Sequence, residues 1–318
     1  MRNLRWMLVL LSAWTLAAQA QYPAKPVHFV VGFGAGGPSD IQARILAEPL
    51  ATALGQAVLV ENRPGDAGMI SYRYVAGTAP DGYNVLAAAD IMLLYPIMFK
   101  GWDVDPLRSF TYVGTYMYSP TVLMISNAAP FKTVGELISY SKANRGKVNY
   151  AFVGPGPHAL VIRYMNKYFN LGMTEVPYKS STDAKLATVR GDVHIYPDSL
   201  GNALNDRSVA RPLIMVSAQR DAAFPDVQTA NEGDLAPLRM NVGASWSGVL
   251  GPANLPADVT AKLNAAINDA VKTPGFVQKT RALAITPQGS SPAEFRAMVE
   301  RDSVQWIKMG KELGLEPQ

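Results

Sequence analysis

Residues 27–46 read VHFVVGFGAGGPSDIQARIL and place a strand, a glycine-rich loop and a helix in immediate succession. Val27–Val31 is an apolar run of strand length, and the segment after the loop has the spacing of an amphipathic helix. Gly32, Gly34 and Gly37 satisfy G-x-G-x-x-G, which in dinucleotide-binding folds lets the backbone approach a pyrophosphate. The stretch therefore predicts an α/β unit whose loop can bind an anion at a helix N-terminus.

A dehydrogenase is the first interpretation, since Glu61 ends the next apolar run, AVLVE, where such folds place a ribose-binding carboxylate. The N-terminal segment of the chain argues against a dehydrogenase. Residues 1–20 combine a basic head, an apolar stretch and an A-x-A cleavage site at residues 18–20, which is typical of a secretory signal peptide. Export of a cofactor-loaded enzyme would call for a twin-arginine leader, and Arg2 and Arg5 are separated. An exported oxidoreductase stays open as a minor alternative.

Composition narrows the function further. The chain has no cysteine, which excludes disulfides, thiol chemistry and cysteine metal sites. Its 29 basic residues nearly balance 25 acidic ones, and no Lys/Arg cluster interleaves with aromatic residues, so we expect no nucleic-acid binding. No segment after the leader is apolar over the length that a membrane-spanning helix needs. The mature protein is therefore expected in the periplasm.

Apolar runs of strand length alternate with helical segments along the chain, which predicts an α/β fold with mostly parallel sheets. Residues 148–165, VNYAFVGPGPHALVIRYM, repeat the order of strand, Gly/Pro loop and helix. Two such loops facing each other across a cleft could hold an anion from both sides, although each alone is also compatible with an ordinary tight turn. In the first loop Ser39 is the better ligand group, whereas Asp40 is expected to cap a helix that begins near Ile41.

The sequence contains no recognisable set of catalytic residues. His28 and His194 lie within predicted strands and are interpreted as structural, while His158 opens the helix after the second loop, where a ligand role and a structural role are both open. Neither H-E-x-x-H nor G-x-S-x-G occurs, and carboxylates are not paired on a catalytic scaffold. We therefore expect a binding protein rather than an enzyme, with no cofactor and no metal.

Four short motifs occur in order along the chain: ENRPG from residue 61, PDGY from residue 80, VPYK from residue 176 and PDVQT from residue 225. Together they resemble the substrate-binding proteins of tripartite tricarboxylate transporters, the Bug or TctC family of periplasmic receptors. The resemblance covers essentially all of the mature chain and implies a type II periplasmic-binding-protein fold, with two α/β domains that close on a ligand. Domain I would comprise residues 21–120 plus 246–318, and domain II residues 121–245.

The resemblance also implies that the two loops grip a ligand carboxylate between them. The site residues that it implies are Phe33, Gly34, Gly36, Gly37 and Ser39 on the first loop, Ala89 and Asp90 after the third strand, Phe152, Gly154, Gly156 and His158 on the second loop, and Asp198 near the far end of the ligand. Tyr116, Met117, Tyr118 and Trp246 would lie nearby. A cleft with so few hydroxyl groups favours a dicarboxylate or an aromatic carboxylate over citrate, because unpaired buried polar groups are costly.

The function that the resemblance implies is a receptor, acting as a monomer, that delivers its carboxylate to the membrane permease of a tripartite tricarboxylate transporter. The alternative is a ligand-sensing protein that acts on a signalling partner without transport. Neighbouring genes would separate the two, and the chain itself does not.

Overall fold

The computed structural model describes residues 22–153, 156–240, 244–283 and 285–317. The predicted signal peptide and Gly154 lie outside these residues. The strands are β1 Val27–Val31, β2 Val58–Asn62, β3 Asn84–Ala89, β4 Phe110–Ser119, β5 Thr121–Ser126, β6 Asn149–Phe152, β7 Thr174–Pro177, β8 Ile195–Ser199, β9 Ala210–Val216, β10 Ser245–Pro252 and β11 Thr286–Pro287.

The α-helices are α1 Pro38–Leu54, α2 Met69–Ala76, α3 Tyr95–Met98, α4 Val134–Ala143, α5 Pro157–Tyr168, α6 Ser181–Arg190, α7 Leu200–Asn205, α8 Ala257–Ala270, α9 Pro274–Ala282 and α10 Pro292–Leu313. Short 3-10 turns lie at Asp66–Gly68, Asp90–Leu94 and Gly233–Leu238. Within the described ranges no helix combines the length and the apolar character needed to cross a membrane.

The strands form two sheets with the same plan. The first has the order β11-β4-β10-β3-β1-β2 and the second β7-β6-β8-β5-β9. In each, one strand (β1 or β6) is flanked by two parallel neighbours. The strands that are antiparallel to both of their neighbours are β4 and β10 in the first sheet and β5 in the second. The α/β class is confirmed, but the prediction of mostly parallel sheets is wrong because each sheet includes these antiparallel strands.

The chain passes between the sheets at two points. β4 ends at Ser119 in the first sheet and β5 begins at Thr121 in the second, with Pro120 between them. The chain returns through β10, which begins at Ser245 and joins the first sheet. The division into two domains, residues 21–120 plus 246–318 and residues 121–245, stays a prediction.

Both faces of the first sheet are covered, which explains why β1 is apolar along most of its length. Val27, Phe29 and Val31 pack against α1, whose buried side chains recur at helical spacing. Val30 faces the opposite side and joins the core beneath α2. This packing fixes the C-terminal end of β1 and the N-terminal end of α1, and with them the glycine loop between.

Candidate functional site

A cavity of about 180 Å³ lies at the edge of the first sheet, where β3 and β4 end and β10 begins, beside the first turns of α1. We call it the edge cavity. Its lining includes Ser39, Gln42, Ala89, Asp90, Met117 and Trp246. The structure thus brings together three predicted site residues, from α1 and from the end of β3, with two of the residues expected nearby.

Asp90 contributes an unusual acceptor to this lining. Its Oδ2 atom is buried, and no hydrogen-bond partner is found for it among the described residues. Burial raises the pKa of Asp90 to about 6; a hydrogen bond with the Ser245 side chain opposes this rise, and the negative charge of Asp302 adds to it. The carboxylate is therefore ionised at neutral pH and above.

Trp246 contributes a buried donor. The residue is 2% exposed, and its ring meets Phe295 edge-on, with ring centroids 4.8 Å apart. The indole Nε1 atom is buried and has no hydrogen-bond partner among the described residues. Buried polar groups in proteins are usually paired, so the Asp90 oxygen and the Trp246 nitrogen are two polar atoms of cavity-lining residues whose hydrogen bonds the described residues do not supply.

Asp40 does not cap α1 as the sequence suggested. The helix begins at Pro38, with Gly37 as its N-cap residue and no side-chain cap. The Asp40 Oδ2 atom instead accepts hydrogen bonds from the Gly36 N–H (2.8 Å) and from Arg44 Nε (2.9 Å). These interactions, with that of Arg44 the strongest, lower the pKa of Asp40 to about 2. The carboxylate is turned into its own loop, and its charge is paired there.

Asn62 completes this arrangement and was not predicted as a site residue. Its Nδ2 atom donates to Asp40 Oδ1 (2.8 Å) and to the Phe33 carbonyl oxygen (2.9 Å), so it ties both ends of the glycine loop together. Its position offered one signal: it ends β2, beside the end of β1, and the carboxyl ends of parallel strands meet at one edge. Asn62 is a positioning residue for the loop.

The loop leaves a defined set of backbone donors available. The Gly36 N–H is used by Asp40, and the Gly37 N–H donates to the Gly34 carbonyl oxygen at 3.2 Å. The N–H groups of Ser39 and Asp40 lie in the first turn of α1, where an α-helix has no internal acceptors for them. The partial positive charge of the helix N-terminus adds to these donors. This end of α1 therefore suits an anion.

Gln42 and Ser247 also line the edge cavity without having been predicted. The Ser247 hydroxyl donates to Gln42 Oε1 at 2.8 Å and fixes the amide against β10. Gln42 follows Ser39 by three residues in α1 and so shares its face of the helix. The spacing of three residues from Ser39 could therefore have predicted Gln42 as a residue of the same site.

Glu61, the carboxylate that suggested a ribose-binding group, already interacts with two basic side chains. Glu61 Oε1 lies 2.6 Å from Arg63 Nη2, and its Oε2 lies 3.4 Å from His28 Nδ1. His28 thus lies beside Glu61 on the surface formed by β1 and β2. His194 accepts a hydrogen bond from the Asn149 N–H at 3.2 Å, which ties β6 to the residue before β8.

The second loop lies beside a different groove. Gly156 lines a groove of about 240 Å³ together with Leu94 and Arg163, and none of the described second-loop residues lines the edge cavity. Arg163 stacks on the ring of Phe152 with its guanidinium carbon 4.6 Å from the centroid. A Cβ atom on Gly156 would lie 3.0 Å from His158 Cε1, so the absence of a side chain there makes room for the imidazole.

His158 carries the second unpaired nitrogen of the predicted site. It lies in the first turn of α5, one residue after the helix start, and its Nε2 atom is buried with no partner among the described residues. Burial lowers the pKa of His158 to about 4, so the ring is neutral at pH 7. A neutral imidazole can donate or accept one hydrogen bond, and either suits a ligand oxygen or water.

Asp198 and Tyr116 make contacts within the fold. Asp198 is the last but one residue of β8. Its Oδ1 atom accepts hydrogen bonds from the Ser199 N–H and from Asn202 Nδ2, both at 2.8 Å, and these bonds support the start of α7. Burial raises the pKa of Asp198. Tyr116 packs in the core, edge-on to Phe29 with centroids 6.2 Å apart. The roles of all predicted site residues in ligand binding stay predictions.

Residues 42–315 match the family model for the tripartite tricarboxylate transporter family receptor, TctC. The chain belongs to this family. A UPF0065 protein of Bordetella bronchiseptica is 31% identical to this TctC receptor, over 97% of this chain and 92% of its own length. The family is one of solute-binding receptors, as the sequence motifs predicted.

Two solved structures extend this result to three dimensions. A protein of R. palustris solved with adipate is 26% identical, with a TM-score of 0.70 over 93% of this chain and 100% of its own. MatC of Rhodopseudomonas palustris, solved with bound malate, is 26% identical with a TM-score of 0.67, covering 91% and 100%. The type II periplasmic-binding-protein fold of the TctC receptor is confirmed.

Proposed function

We propose that this TctC receptor captures a small carboxylate in the periplasm and delivers it to the permease of a tripartite tricarboxylate transporter. The observation that carries the proposal is the N-terminus of α1, where Ser39 lines the edge cavity beside unpaired first-turn N–H groups. The relatives solved with adipate and with malate support a carboxylate as the anion. The leader sequence in residues 1–20 supports export.

Asp40 makes this site compatible with an anion. An ionised carboxylate in the first turn would repel a ligand carboxylate if its charge were open to the cleft. The Asp40 carboxylate is instead paired with Arg44 and hydrogen-bonded by Asn62, so its charge is neutralised within the loop. A ligand carboxylate can then approach the backbone over Gly34, where a Cβ atom would have no neighbour within 4 Å.

The second loop would contact the ligand from the side opposite the first loop. In this proposal residues 21–120 plus 246–318 form one domain, residues 121–245 form the other, and closure brings His158 to the ligand. The unpaired Nε2 atom of His158 supports such a contact, since a buried nitrogen without a partner gains a hydrogen bond when a ligand oxygen reaches it. The receptor is expected to act as a monomer.

Among small dicarboxylates and aromatic carboxylates, those that the edge cavity accepts are expected to raise the melting temperature of the purified protein. At a ligand concentration one hundred times Kd, binding stabilises the folded state by about 2.7 kcal/mol, which corresponds to roughly 5 °C for a chain of this size. Thermal-shift assays with adipate, malate, benzoate and phthalate measure this directly. Adipamide, which lacks the charges of adipate, is the matched control. A flat response to every carboxylate would overturn the proposal.

Replacing Gly34 by valine is expected to abolish ligand-induced stabilisation while leaving the fold intact. The Gly34 Cβ position is open and its φ lies outside the left-handed region, so a side chain fits without strain. It would, however, occupy the space above the loop and keep the ligand from the first-turn N–H groups. Titration calorimetry should show affinity weakened by at least about a hundredfold, because direct backbone hydrogen bonds to a carboxylate are lost.

Gly275→Val is the matched control for this variant. Gly275 lies in the first turn of α9, and its Cβ position likewise has open space and no left-handed φ. This variant should bind the ligand like the wild-type protein. Normal binding by Gly34→Val would show that the carboxylate does not enter over the first loop.

A further inference from the structure

The Asp90 side chain identifies the end of the ligand that lies away from the glycine loop. Asp90 and Ser39 line the same cavity from two directions, Ser39 from α1 and Asp90 from the turn after β3. A ligand whose carboxylate sits at the α1 N-terminus would therefore extend toward Asp90. The chemistry of that end has to match a buried carboxylate oxygen that lacks a partner.

The other polar groups of the lining are already engaged with one another. The Ser245 side chain bonds with the Asp90 carboxylate, and the Ser247 hydroxyl donates to Gln42. The lining of the edge cavity, as far as the structure describes it, contains no Lys, Arg or His. Asp302, on α10, adds a negative charge that raises the pKa of Asp90, and Arg301 Nε lies 2.7 Å from Asp302 Oδ1. The Asp90 charge is thus not matched by a cation of the cavity.

We propose that the ligand of this receptor is a carboxylate whose far end carries a hydrogen-bond donor, a hydroxyl or an ammonium group, and that Asp90 selects it. This rests on the proposed function, because it presumes that the near end is a carboxylate at α1. Rotation about the aspartate χ2 torsion is easy, so a small turn of the carboxyl plane brings an acceptor oxygen to the cavity. A donor on the ligand then removes the cost of the unpaired buried oxygen.

A second carboxylate is the wrong group for this position. It would place two negative charges together in a cavity whose described lining supplies no cation, and repulsion in such a setting is strong. A methyl group avoids the repulsion but leaves the Asp90 oxygen unpaired. A hydroxyl or an ammonium group avoids both costs.

Four six-carbon compounds test the far end alone: hexanoate, 6-hydroxyhexanoate, 6-aminohexanoate and adipate. They share one carboxylate and one chain length and differ only in the terminal group. Titration calorimetry at pH 8, well above the Asp90 pKa of about 6, keeps the carboxylate ionised. We expect the hydroxy or amino compound to bind about tenfold to hundredfold more tightly than hexanoate, and adipate to bind more weakly than either.

Asp90→Asn tests whether Asp90 is the cause. The amide keeps the shape of the side chain, removes the charge and adds an N–H donor, so the preference should move from 6-aminohexanoate toward adipate by at least about tenfold. Since the substitution removes a buried charge, the ligand-free variant should melt at the wild-type temperature or above. Met117→Leu changes the same cavity without changing its polarity and should keep the wild-type order of affinities.

The outcomes separate this inference from the function on which it rests. If hexanoate or adipate binds as tightly as the two donor-bearing compounds, Asp90 does not select a donor and the inference fails while carboxylate binding stands. The same conclusion follows if Asp90→Asn leaves the order unchanged. If neither this series nor benzoate and phthalate binds at all, the proposed function itself fails.

Discussion

Asp40→Ala is expected to lower the free energy of unfolding by about 2 kcal/mol and to weaken carboxylate binding by more than about tenfold. The substitution leaves the Gly36 N–H and the Asn62 amide without their acceptor, so the glycine loop loses the contacts that fix it. Arg44 is 52% exposed and can turn to water, which keeps the cost below that of a fully buried pair. Urea unfolding and titration calorimetry measure the two effects.

The pH dependence of this loss gives an independent check. Because the folded protein lowers the pKa of Asp40 from 3.8 to about 2, the ionised carboxylate stabilises the fold above about pH 4. That stabilisation is lost as the pH falls from about 4 through 2. The stability difference between wild type and Asp40→Asn should therefore be level near neutrality and shrink across that window. A difference that persists to pH 2 would show that the charge of Asp40 is not what holds the loop.

Glu300→Ala is the matched control for Asp40→Ala. Arg296 and Glu300 form an ion pair at the same i, i+4 spacing as Asp40 and Arg44, but both side chains are about half exposed on α10. An exposed pair of this kind contributes at most about 0.5 kcal/mol, so Glu300→Ala should change stability little and ligand binding not at all.

Local sequence was enough to predict the elements that flank the first loop and several others. The helix α4, Val134–Ala143, begins at a capping box formed by Thr133 and Glu136, a start that short-range sequence alone specifies. The strand Val27–Val31 was expected for the same kind of reason, since an apolar run with both faces covered needs no information from elsewhere. In these elements short-range chemistry and the tertiary structure agree.

The remaining features depend on residues that are distant in sequence. β4, FTYVGTYMYS, gives a weak local strand signal, because its aromatic and hydroxyl residues form neither a continuous apolar run nor a clean alternation. Its partner β10 lies more than a hundred residues later. The wrong role given to Asp40 has the same origin. Capping is the local option for an Asp at a helix start, but Asn62 reaches Asp40 from the end of another strand.

In the edge cavity, too, some features could be predicted from the sequence, whereas others depend on residues distant in the chain. Ser39, Ala89 and Asp90 were expected at the site from the resemblance, and the structure places them on one lining. Ser245, whose side chain forms a hydrogen bond with Asp90, belongs to the antiparallel strand β10. An antiparallel insertion leaves no trace in the alternation of strands and helices, so the contact could not be predicted from the pattern.

Gly32→Val is expected to destabilise the protein by about 3 kcal/mol, whether or not a ligand is present. A Cβ atom on Gly32 would lie 2.5 Å from Ser71 Oγ and 3.0 Å from the Gly68 carbonyl oxygen, so the end of β1 packs directly on the turn before α2. Backbone atoms cannot move away as a flexible side chain can, and the strain has to be taken up by the sheet or the turn. Urea unfolding measures the loss.

Valine would then have different effects at Gly32 and at Gly34, although both belong to one glycine motif: a loss of stability at the first and a loss of ligand binding at the second. Gly32→Val should unfold at lower urea concentration than Gly275→Val, whereas Gly34→Val should unfold like that control and fail only in binding. Ser71→Ala added to Gly32→Val relieves the contact with Ser71 Oγ but not that with Gly68, so it should restore only part of the stability. If Gly32→Val were as stable as wild type and had lost only its ligand, the first glycine of the motif would serve binding rather than the packing of β1.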